Sequence, residues 1–103
     1  MKVLVTGVSG QLGFDVMREL LARGVEAKGA SRSDFSLTDF AAMRRFVEAH
    51  RPTAIIHCAA YTAVDKAEDE PKLCREVNAA ATGKLARLAK EIGAKFLYIS
   101  TDY

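Results

Sequence analysis

The stretch VLVTGVSGQLG, residues 3–13, joins an apolar run to three glycines and decides the fold. A short β-branched apolar run predicts a buried strand, and the glycines after it let the chain turn sharply into a helix. The first backbone N–H groups of that helix, on Gln11 and Leu12, have no partner within the helix, and the helix dipole adds to their attraction for an anion. The stretch therefore predicts a phosphate-binding turn.

Each glycine of this turn has a steric reason. Gly7 permits the tight turn, Gly10 lets a pyrophosphate approach bare backbone, and Gly13 allows the helix to pack closely on the strand. The spacing is G-x-x-G-x-x-G, whereas the common dinucleotide fingerprint is G-x-G-x-x-G. When the two are aligned on Gly10 and Gly13, Val8 occupies the place of the fingerprint's first glycine, and Gly7 stands one place earlier. A glycine-rich loop without a ligand is the alternative interpretation.

The composition is that of an ordinary soluble protein. The 103 residues suffice for one domain, with 50% hydrophobic residues, 27% charged residues and a formal net charge of +2. The charges form no basic stripe, which argues against a nucleic-acid partner. We expect no signal peptide and no membrane segment, because the first apolar run ends at Gly7 and none approaches ~20 residues, and we predict a cytoplasmic location. The cysteines and histidines lack metal-ligand spacing, so we expect no metal site.

Strands alternate with helices along the chain. Strands are predicted at 2–6, 25–30, 53–58 and 95–100, with helices after Gly10, after a cap at Thr38 or Asp39, and from Pro71 to Gly93. The second strand is interrupted by charged residues and suits an edge, whereas the third is continuously apolar and suits burial on both faces. The alternation predicts an α/β fold, a Rossmann-like doubly wound parallel sheet of order 3-2-1-4, truncated after the fourth strand, with ligands at the carboxyl ends of the strands.

The loop after the second strand, SRSD at 31–34, falls where such a fold meets the adenosine ribose. An acidic residue there binds the 2′-hydroxyl of NAD, whereas an arginine accepts the 2′-phosphate of NADP. Arg32 favours NADP. An arginine merely exposed in a loop is equally compatible, since Asp34 is near enough to take the opposite role.

Four motifs carry a resemblance to a known family. TGVSGQLG at 6–13 resembles the opening of extended short-chain dehydrogenases/reductases, and it is joined by LTD at 37–39, AAYTAVDKAE at 59–68 and ISTDY at 99–103. Together they resemble the dTDP-4-dehydrorhamnose reductases. The resemblance covers residues 1–103 but only the N-terminal part of the family's dinucleotide-binding domain, so we expect the remainder of the catalytic domain to be absent from these residues.

The resemblance implies roles for individual residues. Ser36 and Leu37 would lie beside the adenine, although the family usually has Asp at the place of Ser36, and Thr101 and Asp102 would face the sugar substrate. From the motifs and the resemblance together, the candidate cofactor-binding residues are Gly7, Gly10, Gln11, Leu12, Gly13, Ser31, Arg32, Ser36, Leu37, Ala59, Ala60 and Tyr61.

The family's reaction belongs to dTDP-rhamnose biosynthesis. With hydride from NADPH or NADH, it reduces the 4-keto group of dTDP-4-dehydro-6-deoxy-L-mannose to give dTDP-L-rhamnose, and a Tyr-x-x-x-Lys pair donates the proton. Thr101 would be catalytic through a hydrogen bond to the keto oxygen; its hydroxyl could instead simply end a strand with local bonds. No tyrosine of the 103 residues is followed by lysine at that spacing, so we expect the chain alone to be inactive.

Two other functions stay open at this point. One is another nucleotide-sugar epimerase or dehydratase of the same extended family, and the other is a non-catalytic regulatory subunit that binds the dinucleotide. Neither the nucleotide sugar nor a homodimeric state is decided by the sequence.

Overall fold

In the computed structural model, strands and helices alternate along the chain. The structure describes residues 1–31, 33–36, 38–60 and 71–101, with residues 59, 60, 71–78, 100 and 101 described by their backbone. The strands are β1 (Lys2–Thr6), β2 (Glu26–Ala30), β3 (Ala54–Ala60) and β4 (Lys95–Thr101). The helices of these ranges are α1 (Gln11–Ala22), α2 (Phe40–His50) and α3 (Pro71–Glu91). The element types agree with the sequence-based expectation, and β3 runs two residues further than predicted.

The helices begin and end where the local chemistry directs. Asp39 caps α2, since its carboxylate accepts a hydrogen bond from the backbone N–H of Ala42 at 3.0 Å. Gly24 and Gly93 follow α1 and α3 with φ values of 74° and 73°, the left-handed conformation in which glycine is least strained. Helices α1 and α3 therefore end at these glycines, and the chain continues into the next strand.

The sheet is parallel throughout and has helices on both faces. Successive residues of a strand point to opposite faces. Val3 and Val5 of β1 therefore pack with the apolar side of α1, whereas Leu4 between them belongs to the larger core under α2 and α3. A parallel sheet between helical layers confirms the α/β, Rossmann-like fold class.

The expected strand order 3-2-1-4 is wrong, because the observed order is β2-β1-β3-β4. The third strand pairs with β1 and β4 instead of extending the sheet beyond β2. Burial explains the difference. Ile55 and Cys58 of β3 are buried, whereas Glu26 and Lys28 of β2 are exposed, so β3 gains more from a central place and β2 loses less at the edge.

Helices α2 and α3 lie side by side on one face. The Arg44 guanidinium lies 2.9 Å from a Glu91 carboxylate oxygen and 3.3 Å from one of Glu48. Such exposed ion pairs contribute only about 0–1 kcal/mol each to the free energy of folding. The packing of α2 against α3 therefore depends on the buried side chains between the helices, including Met43, Val47, Leu85 and Leu88. No helix in the described ranges is long and apolar enough to cross a membrane.

Candidate functional site

The turn between β1 and α1 folds as the glycine spacing predicts. Gly7 has a left-handed φ of 73°, and the N–H of Gly10 donates to the Gly7 carbonyl at 3.1 Å, which closes the turn. Gly10 is the N-cap of α1, with extended backbone and no capping side chain. The first N–H groups of the helix, on Gln11, Leu12 and Gly13, thus lack partners within the helix and form a backbone site of the kind that binds phosphate.

At two positions of the turn, nearby backbone atoms leave no room for a side chain. A Cβ on Gly7 would lie 2.1 Å from the carbonyl oxygen of Cys58 in β3, so the turn sits directly against that strand. A Cβ on Gly13 would lie 2.2 Å from the Gly7 carbonyl oxygen and 2.9 Å from the Cα of Val8. We predicted that Gly13 allows the helix to pack closely on the strand; the atoms nearest to its Cβ position belong to Gly7 and Val8, where the chain leaves β1.

The turn also rests on β2 through Val8. The Val8 N–H donates to the carbonyl of Ala30 at 3.3 Å, and its γ-carbons lie 3.0 and 3.3 Å from where a Cβ would stand on Gly29. Sequence analysis missed this contact. An isolated glycine within a strand indicates close approach of another group, and that signal was present at Gly29.

A buried hydrogen bond ties the end of β1 to β3. The Thr6 hydroxyl oxygen lies 2.5 Å from Nδ1 of His57, and each of the two residues is 2% exposed. The His57 ring stacks against that of Tyr98, with centroids 5.5 Å apart, and its Nε2 has no hydrogen-bond partner among the described residues. Burial lowers the pKa of His57 to about 4, so the ring is neutral at pH 7.

The loop after β2 is held together by its own polar groups. The Asp34 carboxylate accepts a hydrogen bond from the backbone N–H of Ser31 at 2.9 Å, and the Ser31 and Ser33 hydroxyls lie 2.8 Å apart. The next hydroxyl pair, Ser36 and Thr38, is 2.9 Å apart and exposed. Asp34, one of the two alternatives for the ribose, is therefore committed to closing the loop.

The remaining candidates belong to the ends of β3 and β4. In the register of the sheet Thr6 pairs with His57, and β3 continues from there to Ala60, which pairs with Thr101. The backbone of Ala59, Ala60 and Thr101 is thus at the same carboxyl edge as the turn. Four predicted site residues lie outside the described residues: Arg32, Leu37, Tyr61 and Asp102.

Cys58 contributes packing beneath the turn. It is 4% exposed and packs with Val3 and Val5 under α1, and burial raises the pKa of its thiol. The thiol is therefore protonated and unreactive at neutral pH. Within the described ranges, no three His, Cys, Asp or Glu side chains come together as metal ligands would.

The comparisons with known proteins cover the whole chain. The model of the family described as "RmlD substrate binding domain" matches residues 1–103. A dTDP-4-dehydrorhamnose reductase of Streptomyces griseus is 44% identical over 100 residues, which are 97% of this chain and 33% of that protein. The crystal structure of a dTDP-4-dehydrorhamnose reductase of Bacillus anthracis, in complex with NADP, is 38% identical and superimposes with a TM-score of 0.83 over 99% of this chain and 36% of that one.

A more distant enzyme shares the same architecture. The UDP-glucose 4-epimerase of Thermus thermophilus, solved in complex with NAD, is 29% identical with a TM-score of 0.77, over 91% of this chain and 35% of that one. The chain thus spans about a third of the length of these relatives. The glycine turn, the parallel sheet and the match over all 103 residues agree, and the chain belongs to the RmlD substrate binding domain family, with its resemblance to dTDP-4-dehydrorhamnose reductases confirmed.

Proposed function

We propose that the chain is the dinucleotide-binding part of an NAD(P)H-dependent dTDP-4-dehydrorhamnose reductase, located in the cytoplasm. The observation that carries the proposal is the turn from Gly7 to Gly13, with its left-handed glycine and uncapped helix N-terminus. The similarity to the reductases of Streptomyces griseus and Bacillus anthracis supports the assignment of substrate class, a nucleotide sugar with a 4-keto group.

Each candidate residue then has a function in holding the reactants. Backbone N–H groups of Gln11 and Leu12 bind the pyrophosphate, for which they need no side chain. The adenosine half of the cofactor is contacted by Ser31, Arg32, Ser36 and Leu37. The ribose and nicotinamide of the other half are contacted by Ala59, Ala60 and Tyr61. The cofactor supplies the hydride for the ketone. Asp102 contacts the sugar, and the Thr101 hydroxyl donates a hydrogen bond to the keto oxygen, where negative charge develops as the carbonyl is reduced.

Between the two cofactors, we infer a preference for NADPH. Asp34 Oδ2 accepts a hydrogen bond from the Ser31 N–H within the loop, so one of the two carboxylate oxygens already has a partner. Arg32 is left to pair with a 2′-phosphate, a charge-assisted contact. We expect Arg32→Ala to weaken NADPH binding about tenfold, since a hydrogen bond to a charged group contributes roughly 1.5 kcal/mol. NADH binding should not change.

Fluorescence titrations of both cofactors at low and high salt test this preference. An ion pair between Arg32 and the 2′-phosphate should weaken as salt rises, so NADPH binding should depend more on salt in the wild-type chain than in Arg32→Ala. An Arg32→Ala variant that keeps the wild-type ratio of the two affinities would remove Arg32 from the site.

We also propose that the 103 residues do not reduce the sugar alone. Reduction of the ketone leaves an alkoxide, which needs an acid of suitable pKa. Tyr61 and Tyr98 are followed four residues later by Asp65 and Asp102, not by the lysine whose positive charge would favour a phenolate, and Tyr103 is the last of the 103 residues. NADPH consumption with dTDP-4-dehydrorhamnose should stay at background. Turnover by the purified chain would show that one of its own residues is the acid.

A second candidate function is that of a nucleotide-sugar epimerase, because the epimerase of Thermus thermophilus shares the fold at 29% identity. A protein of that kind would bind the dinucleotide in the same turn but act on another nucleotide sugar. The reductases match the chain at higher identity, which favours the reductase assignment.

A further inference from the structure

We propose that Gly29 is a positioning residue for the phosphate-binding turn, acting through Val8. The inference rests on the proposed function, since it concerns how that turn is held for a dinucleotide. Gly29 is the last but one residue of β2, paired with Val5 in register, and is separated from the turn in sequence by the whole of α1.

The contact between these two residues is tight. The γ-carbons of Val8 stand 3.0 and 3.3 Å from the position of a Cβ on Gly29, closer than ordinary van der Waals contact. One added methyl group would therefore push Val8 by a few tenths of an ångström. The Val8 side chain can pack this closely on β2 only because residue 29 has no side chain.

Val8 cannot yield freely, because its backbone is fixed on both sides. Its N–H donates to the Ala30 carbonyl at 3.3 Å, and the preceding residue, Gly7, lies against the Cys58 carbonyl of β3. The turn is thus clamped between two strands, with Gly10 bonded back to Gly7 at 3.1 Å. A push on Val8 is passed along this short loop to Gly10, where α1 begins and its unpartnered N–H groups follow.

The expected consequence is a loss of pyrophosphate binding without a loss of fold. Misplacing a catalytic group by 1 Å can cost about a hundredfold in rate, and on the same scale a shift of a few tenths of an ångström should weaken NADPH binding roughly three- to tenfold in Gly29→Ala. Binding of 2′-AMP, which has the 2′-phosphate but no pyrophosphate, should stay within about twofold of wild type on the same reasoning. A general loosening of the chain would weaken both ligands together.

The test is calorimetric titration of NADPH and 2′-AMP into the 103-residue chain and four variants: Gly29→Ala, Val8→Ala, the double variant of these two, and Gly83→Ala. The double variant Gly29→Ala/Val8→Ala removes the atoms that the new methyl would meet, and should recover the NADPH affinity of Val8→Ala alone. Gly83→Ala is the matched control, because a Cβ there has nothing within 4 Å, and it should bind like wild type.

Three results would overturn the inference: unchanged NADPH affinity in Gly29→Ala, equal losses for both ligands, or no recovery in the double variant. A wild-type chain that binds neither ligand would instead contradict the proposed function. The two failures are therefore distinguishable.

Discussion

Gly7→Ala should cost about 2–5 kcal/mol of folding free energy, combining left-handed strain of roughly 1–2 kcal/mol with overpacking of about 1–3 kcal/mol. The new Cβ would lie 2.1 Å from the carbonyl oxygen of Cys58, and neither backbone segment can move aside as a flexible side chain can. The stability of a small domain is only of order 5–15 kcal/mol, so this variant should be partly or wholly unfolded. Urea denaturation followed by circular dichroism measures the change.

Gly24→Ala is the control that separates the backbone strain of Gly7→Ala from its steric clash with Cys58. Gly24 has a φ of 74°, almost the same as the 73° of Gly7, but a Cβ there has nothing within 4 Å. It should therefore lose only the conformational part, about 1–2 kcal/mol. If Gly7→Ala and Gly24→Ala were equally destabilised, the close contact between the turn and β3 would be wrong.

The second large effect is a dependence of stability on pH that originates in His57. Burial lowers the pKa of the folded ring to about 4, whereas the unfolded value is near 6.5. The unfolded chain therefore takes up the proton first as the pH falls. Stability from this residue is complete above pH 6.5, declines between pH 6.5 and 4, and amounts to about 3 kcal/mol over that window.

Urea denaturation at pH 7 and pH 5 tests this dependence where most carboxylates are still ionised. The wild-type chain should be less stable at pH 5 by about 2 kcal/mol, the part of the window between pH 6.5 and 5. His57→Asn removes the titrating group, so its stability should change little between the two pH values. A parallel decline in wild type and variant would assign the effect to other groups.

Local sequence rules predicted the elements well because each element has a local cause. The cap at Asp39 and the stop at Gly93 are set by a few neighbouring atoms, and the structure confirms both. The strand order came instead from the usual arrangement of the fold class, and it was wrong. The residues themselves already favoured the observed order, since Glu26 and Lys28 suit an edge and the apolar run of β3 suits the interior.

The site was predictable only where it is continuous in sequence. The turn was recognised from three glycines, whereas the hydrogen bond between Thr6 and His57 joins residues 51 apart and depends on the strand order. The contact between Val8 and Gly29 likewise requires β2 beside β1. Such contacts follow from how the strands are paired, and the residues of the turn itself do not specify that pairing.

The most direct test of the central claim, that the turn binds a dinucleotide pyrophosphate, is titration of NADPH into the wild-type chain and Gly10→Val. Gly10 has φ −90° and ψ 165°, which valine adopts readily, so the variant should fold, with a stability lower by about 1 kcal/mol because valine is a poorer N-cap than glycine. Its isopropyl group would occupy the space over the helix N-terminus where the phosphates bind, and the affinity should fall at least roughly tenfold, the equivalent of 1.4 kcal/mol. Equal NADPH affinity for a folded Gly10→Val and the wild-type chain would contradict the account.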